Sequence, residues 1–209
     1  EGGGASGTSP SAEPDVAGAK SAAAAGSAQV PSGTKVLHVG DSFAGALGVP
    51  LGKRLEEHGV HSILKHIDAS YLTTWAWQQD LDRMVWKYNP DLVVITLGAN
   101  ELAIVEPEQR SRAIHKIVES LGGRPCVWVG IPLWNGPGNG LLDVIARESR
   151  PCSYLDTNAL MDTAHMARIS DGIHPTSSAR EQWAGVVFDW LAAQRDPRGA
   201  RPWELRSGS

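Results

Sequence analysis

The chain has no basic excess. Its 19 Lys and Arg are outnumbered by 23 Asp and Glu, giving a net charge of −4 over 209 residues. A nucleic-acid-binding domain would show a basic patch, so that class is set aside. Long apolar runs are missing too: the longest are strand-length, too short to span a bilayer. Cysteine is scarce, with only Cys126 and Cys152. Residues 1–34 have almost no large apolar side chain and consist mainly of Gly, Ala, Ser and Pro. Such a stretch cannot bury enough surface to offset its ordering entropy, and it reads as a disordered linker. No signal peptide is visible and the first residue is not Met. A processed, exported protein fits this pattern, with a mature start, a tether and then a domain; a boundary inside a cytoplasmic protein is the alternative. Periplasmic or extracellular export is the expectation.

What is present alternates strand and helix. "KVLHVG" (35–40) is an apolar, β-branched run that stops at Gly, and "GALGVPLGKRLEEHG" reads as a helix ending at Gly59. "HSILKHIDA" (61–69) alternates like a half-buried strand. "TTWAWQQDLDRMVWKYN" has helical spacing, carried by Trp75, Trp77, Leu81, Val85 and Trp86. "DLVVITLG" (91–98) is the most apolar run, as the centre of a parallel sheet requires. A helix over 107–121, a strand "CVWVGIP" (126–132), a short helix over 141–148 and a strand "CSYLD" (152–156) follow. A last helix, 177–193, carries Trp183, Val186, Val187 and Trp190 on one face. Five β-α units predict a three-layer α/β/α, flavodoxin-like domain with a five-stranded parallel sheet. The expected boundaries are a linker over 1–34, the domain over 35–197 and a tail over 198–209.

In such sheets ligands bind beyond the carboxyl ends of the strands. The first strand ends in Gly40-Asp41-Ser42, the second near Ala69-Ser70-Tyr71, the third in Gly98-Ala99-Asn100-Glu101. Ser42 passes from strand to helix, a position that exposes its hydroxyl beside backbone N–H groups. Asp171 and His174, in "SDGIHPTS", stand in the loop before the last helix. A carboxylate that orients an imidazole suggests a general base, and a base calls for a nucleophile. One sheet edge can thus collect Ser42, an amide donor in Asn100, a base and its orienter. Asp41 is expected to bond its own turn.

"VGDSFAG", "PDLVVITLGANE" and "DGIHPT", in this order and spacing, resemble the blocks of the GDSL-type or SGNH hydrolases, serine esterases. The resemblance runs from about Lys35 to Ala193. It implies Ser42 as nucleophile, His174 as base and Asp171 as its orienter, with an oxyanion hole made by the Ser42 N–H and the Asn100 side chain. The chain departs from the family at two places. Glu101 stands where Asp is usual, a position not normally catalytic. The Gly after the second strand, whose N–H completes the oxyanion hole, is missing, since no Gly lies between Val60 and Leu97. Ser70 is the expected substitute, with Ala69 and Tyr71 beside it as alternatives. Gly-x-Ser-x-Gly fails at Ala44, so the nucleophile elbow of the α/β-hydrolases is not the pattern here.

The implied activity is hydrolysis of short-chain, acetyl-type esters through an acyl-enzyme, on an O-acetylated carbohydrate or cell-wall substrate. The alternatives are a lipase- or thioesterase-like hydrolase, an O-acetyltransferase, or a non-catalytic carbohydrate-binding domain. The short, polar rim loops predict an acyl pocket with a wall rather than a groove. Trp134, in the Gly-rich "PLWNGPGNG", and Tyr71 are expected to line the substrate. The other tryptophans are read as core. His58, His61 and His66 are read as solvated surface rather than metal ligands. No cofactor, metal or nucleic acid is expected, and the domain is expected to be monomeric. Cys126 and Cys152 each open one of two strands expected to be neighbours; they are either a disulfide or two buried thiols.

Overall fold

In the computed structural model, residues 1–3 and 30–206 are described. The linker expected over 1–34 therefore lies mostly outside the described residues. Five strands, β1 (Lys35–Gly40), β2 (His61–His66), β3 (Leu92–Thr96), β4 (Cys126–Val129) and β5 (Ser153–Leu155), form one parallel sheet in the order β2-β1-β3-β4-β5. The helices are α1 (Ser42–Glu57), α2 (Leu72–Trp77), α3 (Leu81–Tyr88), α4 (Ser111–Ser120), α5 (Leu141–Glu148), α6 (Thr157–Leu160) and α7 (Ser177–Gln194). This is the flavodoxin-like order, and its switch point falls between β1 and β3.

β3 is buried along its whole length because helices cover both faces. Val93, Ile95 and Trp128 point into one core with Leu72, Trp75, Ile114, Ile117 and Ile145. Leu92, Val94 and Val127 point into the other with Phe43, Leu47, Leu51, Trp183 and Val187. On this second face α1 lies very close to edge strand β2. A Cβ on Gly45, Gly48 or Gly52 would stand 2.9 Å from the His66 ring, 2.5 Å from Leu64 Cδ1 and 2.9 Å from Ser62 Oγ, respectively. Beneath Gly48 lies His38, whose Nε2 is 2.9 Å from Thr96 Oγ1 and whose pKa burial holds down at about 3.

The structure differs from the sequence reading at three places. The helix expected over 73–89 is two helices, because the chain breaks at 78–80 and restarts at Leu81. Trp75 is buried, but Trp77 and Trp86 are exposed rather than core. The segment beyond α7 folds back onto the domain. Asp196 N–H donates to the Glu204 carbonyl at 2.7 Å, and Trp203 is fully buried with its Nε1–H on Thr34 Oγ1 at 2.9 Å. Val30 is buried in the same core. The folded unit thus takes in residues 30–34 and 198–206 as well as 35–197. Cys126 and Cys152, on adjacent strands with Cα atoms 4.7 Å apart, form a disulfide. No helix among the described residues is long and apolar enough to cross a membrane.

Candidate active site

The site begins with a backbone constraint. Gly40 has φ +151, and a Cβ there would lie 1.8 Å from the Thr96 carbonyl oxygen, so only glycine lets β1 end this close to β3. The next residue, Asp41, caps α1 and accepts the Phe43 N–H at 2.9 Å on Oδ1, as a local turn predicts. Its other oxygen reaches further and accepts the N–H groups of Gly98 and Ala99, both at 3.1 Å. One buried carboxylate therefore ties the loop after β1 to the loop after β3. Burial raises its pKa to about 6, against the pull of the three N–H groups and of His174.

Ser42 is the first residue of α1 and its side chain is half-buried. As a first helical residue it has no intrahelical partner for its N–H. His174 Nε2 stands 2.8 Å from Ser42 Oγ, and His174 Nδ1 stands 2.7 Å from Asp171 Oδ2. An ionised carboxylate can only accept, so Nδ1 carries the imidazole proton and Nε2 is left to accept from the serine hydroxyl. Asp171 is ionised: the hydrogen bond from His174 pulls its pKa down to about 2, helped by the N–H groups of Ile173 and His174 on Oδ1. Buried Phe43 stacks beneath this pair, its ring centroid 5.1 Å from that of His174 and 5.4 Å from that of Trp134.

On the other side, Asn100 donates one amide hydrogen to the Ser70 carbonyl at 2.8 Å, which leaves its second hydrogen uncommitted. The Ser70 N–H, expected in the oxyanion hole, instead donates to the Ile67 carbonyl at 3.2 Å. Its hydroxyl accepts the Trp75 Nε1–H at 2.9 Å, so Ser70 meets the site through its carbonyl. The neighbouring Tyr71 N–H turns to Thr74 Oγ1 at 3.2 Å. Tyr71 is an exposed rim residue and Trp134 a half-buried one.

Two residues that sequence reasoning left without a role hold this frame. Glu101 is buried and accepts the Leu72 N–H on Oε1 at 2.5 Å, binding the loop after β3 to the start of α2. Its pKa rises to about 7, first through burial and then through Asp41, while the Leu72 N–H and Arg110 (4.0 Å) oppose the rise. Its place directly after Asn100 was the available signal. Among the described residues Arg168 hydrogen-bonds only to main-chain carbonyls, and no sequence pattern marks such partners.

Loops 99–103 and 133–139 border a half-open cleft of about 340 Å³ beside Asn100, lined by Leu102, Leu133 and Trp134 among others. The three histidines near β2 each have their own partner. His58 Nδ1 faces the Arg54 carbonyl, His61 faces Glu56, and His66 faces Asp68 at 3.0 Å.

No family model matches the chain. A curated relative, a multidomain esterase of Ruminococcus flavefaciens, is 22% identical over 145 residues, covering 58% of this chain and 19% of the relative. The chain thus spans about a fifth of that protein's length. Among solved structures, TesA has a TM-score of 0.62 at 22% identity, over 77% of this chain and 98% of TesA. A lipase/acylhydrolase from Enterococcus faecalis gives 0.61 at 14%, over 80% and 100%. The acetyl xylan esterase AlAXEase gives 0.60 at 14%, over 75% and 99%. The fold is shared with these solved structures, and the three sequence blocks that resemble the SGNH hydrolases fall along the carboxyl edge of a single sheet.

Proposed function

We propose that the protein is a serine ester hydrolase with Ser42 as nucleophile, His174 as general base and Asp171 as its orienter. The observation that carries this reading is the continuous hydrogen-bonded line Asp171–His174–Ser42, at 2.7 and 2.8 Å, ending on a hydroxyl at a helix N-terminus. In the reaction, His174 Nε2 takes the hydroxyl proton as Ser42 Oγ attacks the ester carbonyl. The oxyanion accepts from the Ser42 N–H and from the free amide hydrogen of Asn100. His174 returns the proton to the leaving alcohol, and water then releases the acid by the same route.

The substrate we infer is an acetyl ester on a carbohydrate. Structural similarity to an acetyl xylan esterase supports it, as do the aromatic rim residues Trp134 and Tyr71. Export is part of the proposal, supported by the Cys126–Cys152 disulfide, since such bonds persist in oxidising compartments. A second reading, a longer acyl group, is favoured by the cleft beside Asn100.

A panel of aryl esters from acetyl to octanoyl tests both, with Ser42→Ala as control. Acetyl specificity that falls by butyryl is expected, together with loss of turnover in the variant at an unchanged thermal midpoint. A rise in kcat/KM with chain length would move the substrate to the second reading. Full turnover by Ser42→Ala would remove the serine mechanism.

A further inference from the structure

Arg168 lies between the two sides of the site. Its guanidinium donates to the Ile173 carbonyl, directly before His174. It also donates to the carbonyls of Leu133 at 2.9 Å, Thr163 at 3.3 Å and Pro132 at 3.4 Å. Its plane sits 6.0 Å over the Trp134 ring. The backbone of the same residue bridges antiparallel to Pro175, and the adjacent Ile169 N–H donates to the His174 carbonyl at 2.9 Å. One side chain thus spans three segments: the base turn, the loop after β4 and the 161–166 connection.

We propose that Arg168 is a positioning residue that fixes the His174 turn against the Trp134 wall. A planar fork with five donors can serve carbonyls on both sides at once, whereas an ammonium has three donors on one atom. The turn needs such a tie. Asp171 is exposed and bonded only within its own turn and to His174, so nothing on Asp171 anchors the turn to the sheet. Arg168 anchors it from beneath, through Ile173, to a loop that leaves a central strand. The inference rests on the serine-hydrolase reading for its kinetic consequence, but not for its structural one.

Arg168→Lys and Arg168→Gln test it through aryl acetate kinetics, thermal midpoints and low-field proton NMR of the resting protein. The His174 Nδ1–H, bonded to Asp171, gives the diagnostic resonance and is assigned by its loss in His174→Ala. Both variants are expected to fold, to lose about 10²-fold in kcat through misplacement of the base, and to broaden or lose the resonance. Lysine, which keeps the charge but not the fork, is not expected to rescue. If the parent protein hydrolyses no ester, the resonance still reports whether the imidazole has moved, so the two readings fail separately. Full activity with Lys, or an intact resonance and unchanged kcat in a folded Gln variant, overturns the proposal. Failure of both variants to fold overturns it too, by making Arg168 a residue of the fold.

Discussion

Replacing Asp41 by Asn is expected to stabilise the protein above pH 7 and to destabilise it near pH 4. Burial lifts this carboxyl from an ordinary value of 3.8 to about 6. At 1.36 kcal/mol per pH unit, that is about 3 kcal/mol between the two protonation states. The folded state binds the proton more tightly than the unfolded chain. The stability this confers is complete below pH 3.8 and is lost as pH rises through 6. At pH 8 the ionised group therefore holds the fold about 3 kcal/mol below what a neutral group of the same shape would allow. Asparagine is nearly that group. Its carbonyl oxygen can keep the Gly98 and Ala99 N–H groups, but its NH₂ then faces the Phe43 N–H, and losing that cap costs about 1 kcal/mol. The net expectation is a gain of about 2 kcal/mol at pH 8 and a loss of about 1 kcal/mol at pH 4. Denaturant unfolding followed by tryptophan fluorescence at both pH values measures it, with equal m-values as the check on the comparison. The Asp41 charge also helps to raise the Glu101 carboxyl, so its removal eases Glu101 too and adds in the same direction at pH 8. A variant less stable than the parent at pH 8, or a difference that does not change with pH, would show that the three N–H bonds outweigh burial and refute the reasoning.

Glu101→Gln keeps an acceptor for the Leu72 N–H and removes a second buried charge; its thermal midpoint should exceed the parent's above pH 7 and match it below pH 4.5. Gly48→Ala gains about 1 kcal/mol of helix propensity, but its methyl meets Leu64 at 2.5 Å and the buried His38 at 2.9 Å. Overpacking of about 1–3 kcal/mol should win, and a more stable variant in urea would show that α1 can lift from β2 freely. Removing the disulfide with paired Cys126→Ser and Cys152→Ser changes should lower stability by about 3 kcal/mol, given a separation of 26 residues; free thiols in the denatured, unreduced parent would contradict the bridge.

The sheet could be read from the sequence because each strand is a local signal. β3 is five apolar or β-branched residues in a row, and a run buried on both faces needs no partner to be recognised. Ser42, Asn100, Asp171 and His174 were legible because each stands where a strand ends or a final helix begins. The rest depends on contacts between distant segments. The break at 78–80 is invisible because apolar spacing of four continues through it, from Trp77 to Leu81 and Val85. Trp203 stands alone among polar residues, and only its seat against Thr34 makes it core. The local half of Asp41's role was predictable, but its second oxygen bonds residues 57 and 58 positions away. The Ser70 N–H missed its expected role because the 67–70 turn closes on itself and consumes it.

Both buried carboxylates sit where the fold alone would favour neutral groups. Glu101 leaves one oxygen without a partner, and Asp41 is held ionised above pH 6 only against burial. A neutral residue at either position would relieve that energy, as stabilising substitutions commonly do when they replace a strained site residue. What these acids supply is cross-linking of the loops that carry the proposed active-site residues. Asp41 fixes the turn before Ser42 to the backbone before Asn100, and Glu101 fixes the residue after Asn100 to the start of α2. The Ser42 hydroxyl and the Asn100 amide, which the proposed mechanism brings to one ester carbonyl, are thereby set in part by bonds on their neighbours. The Ser42 hydroxyl is left to His174, and Asn100 keeps one amide hydrogen beyond the one it gives the Ser70 carbonyl, while neither residue is free to drift.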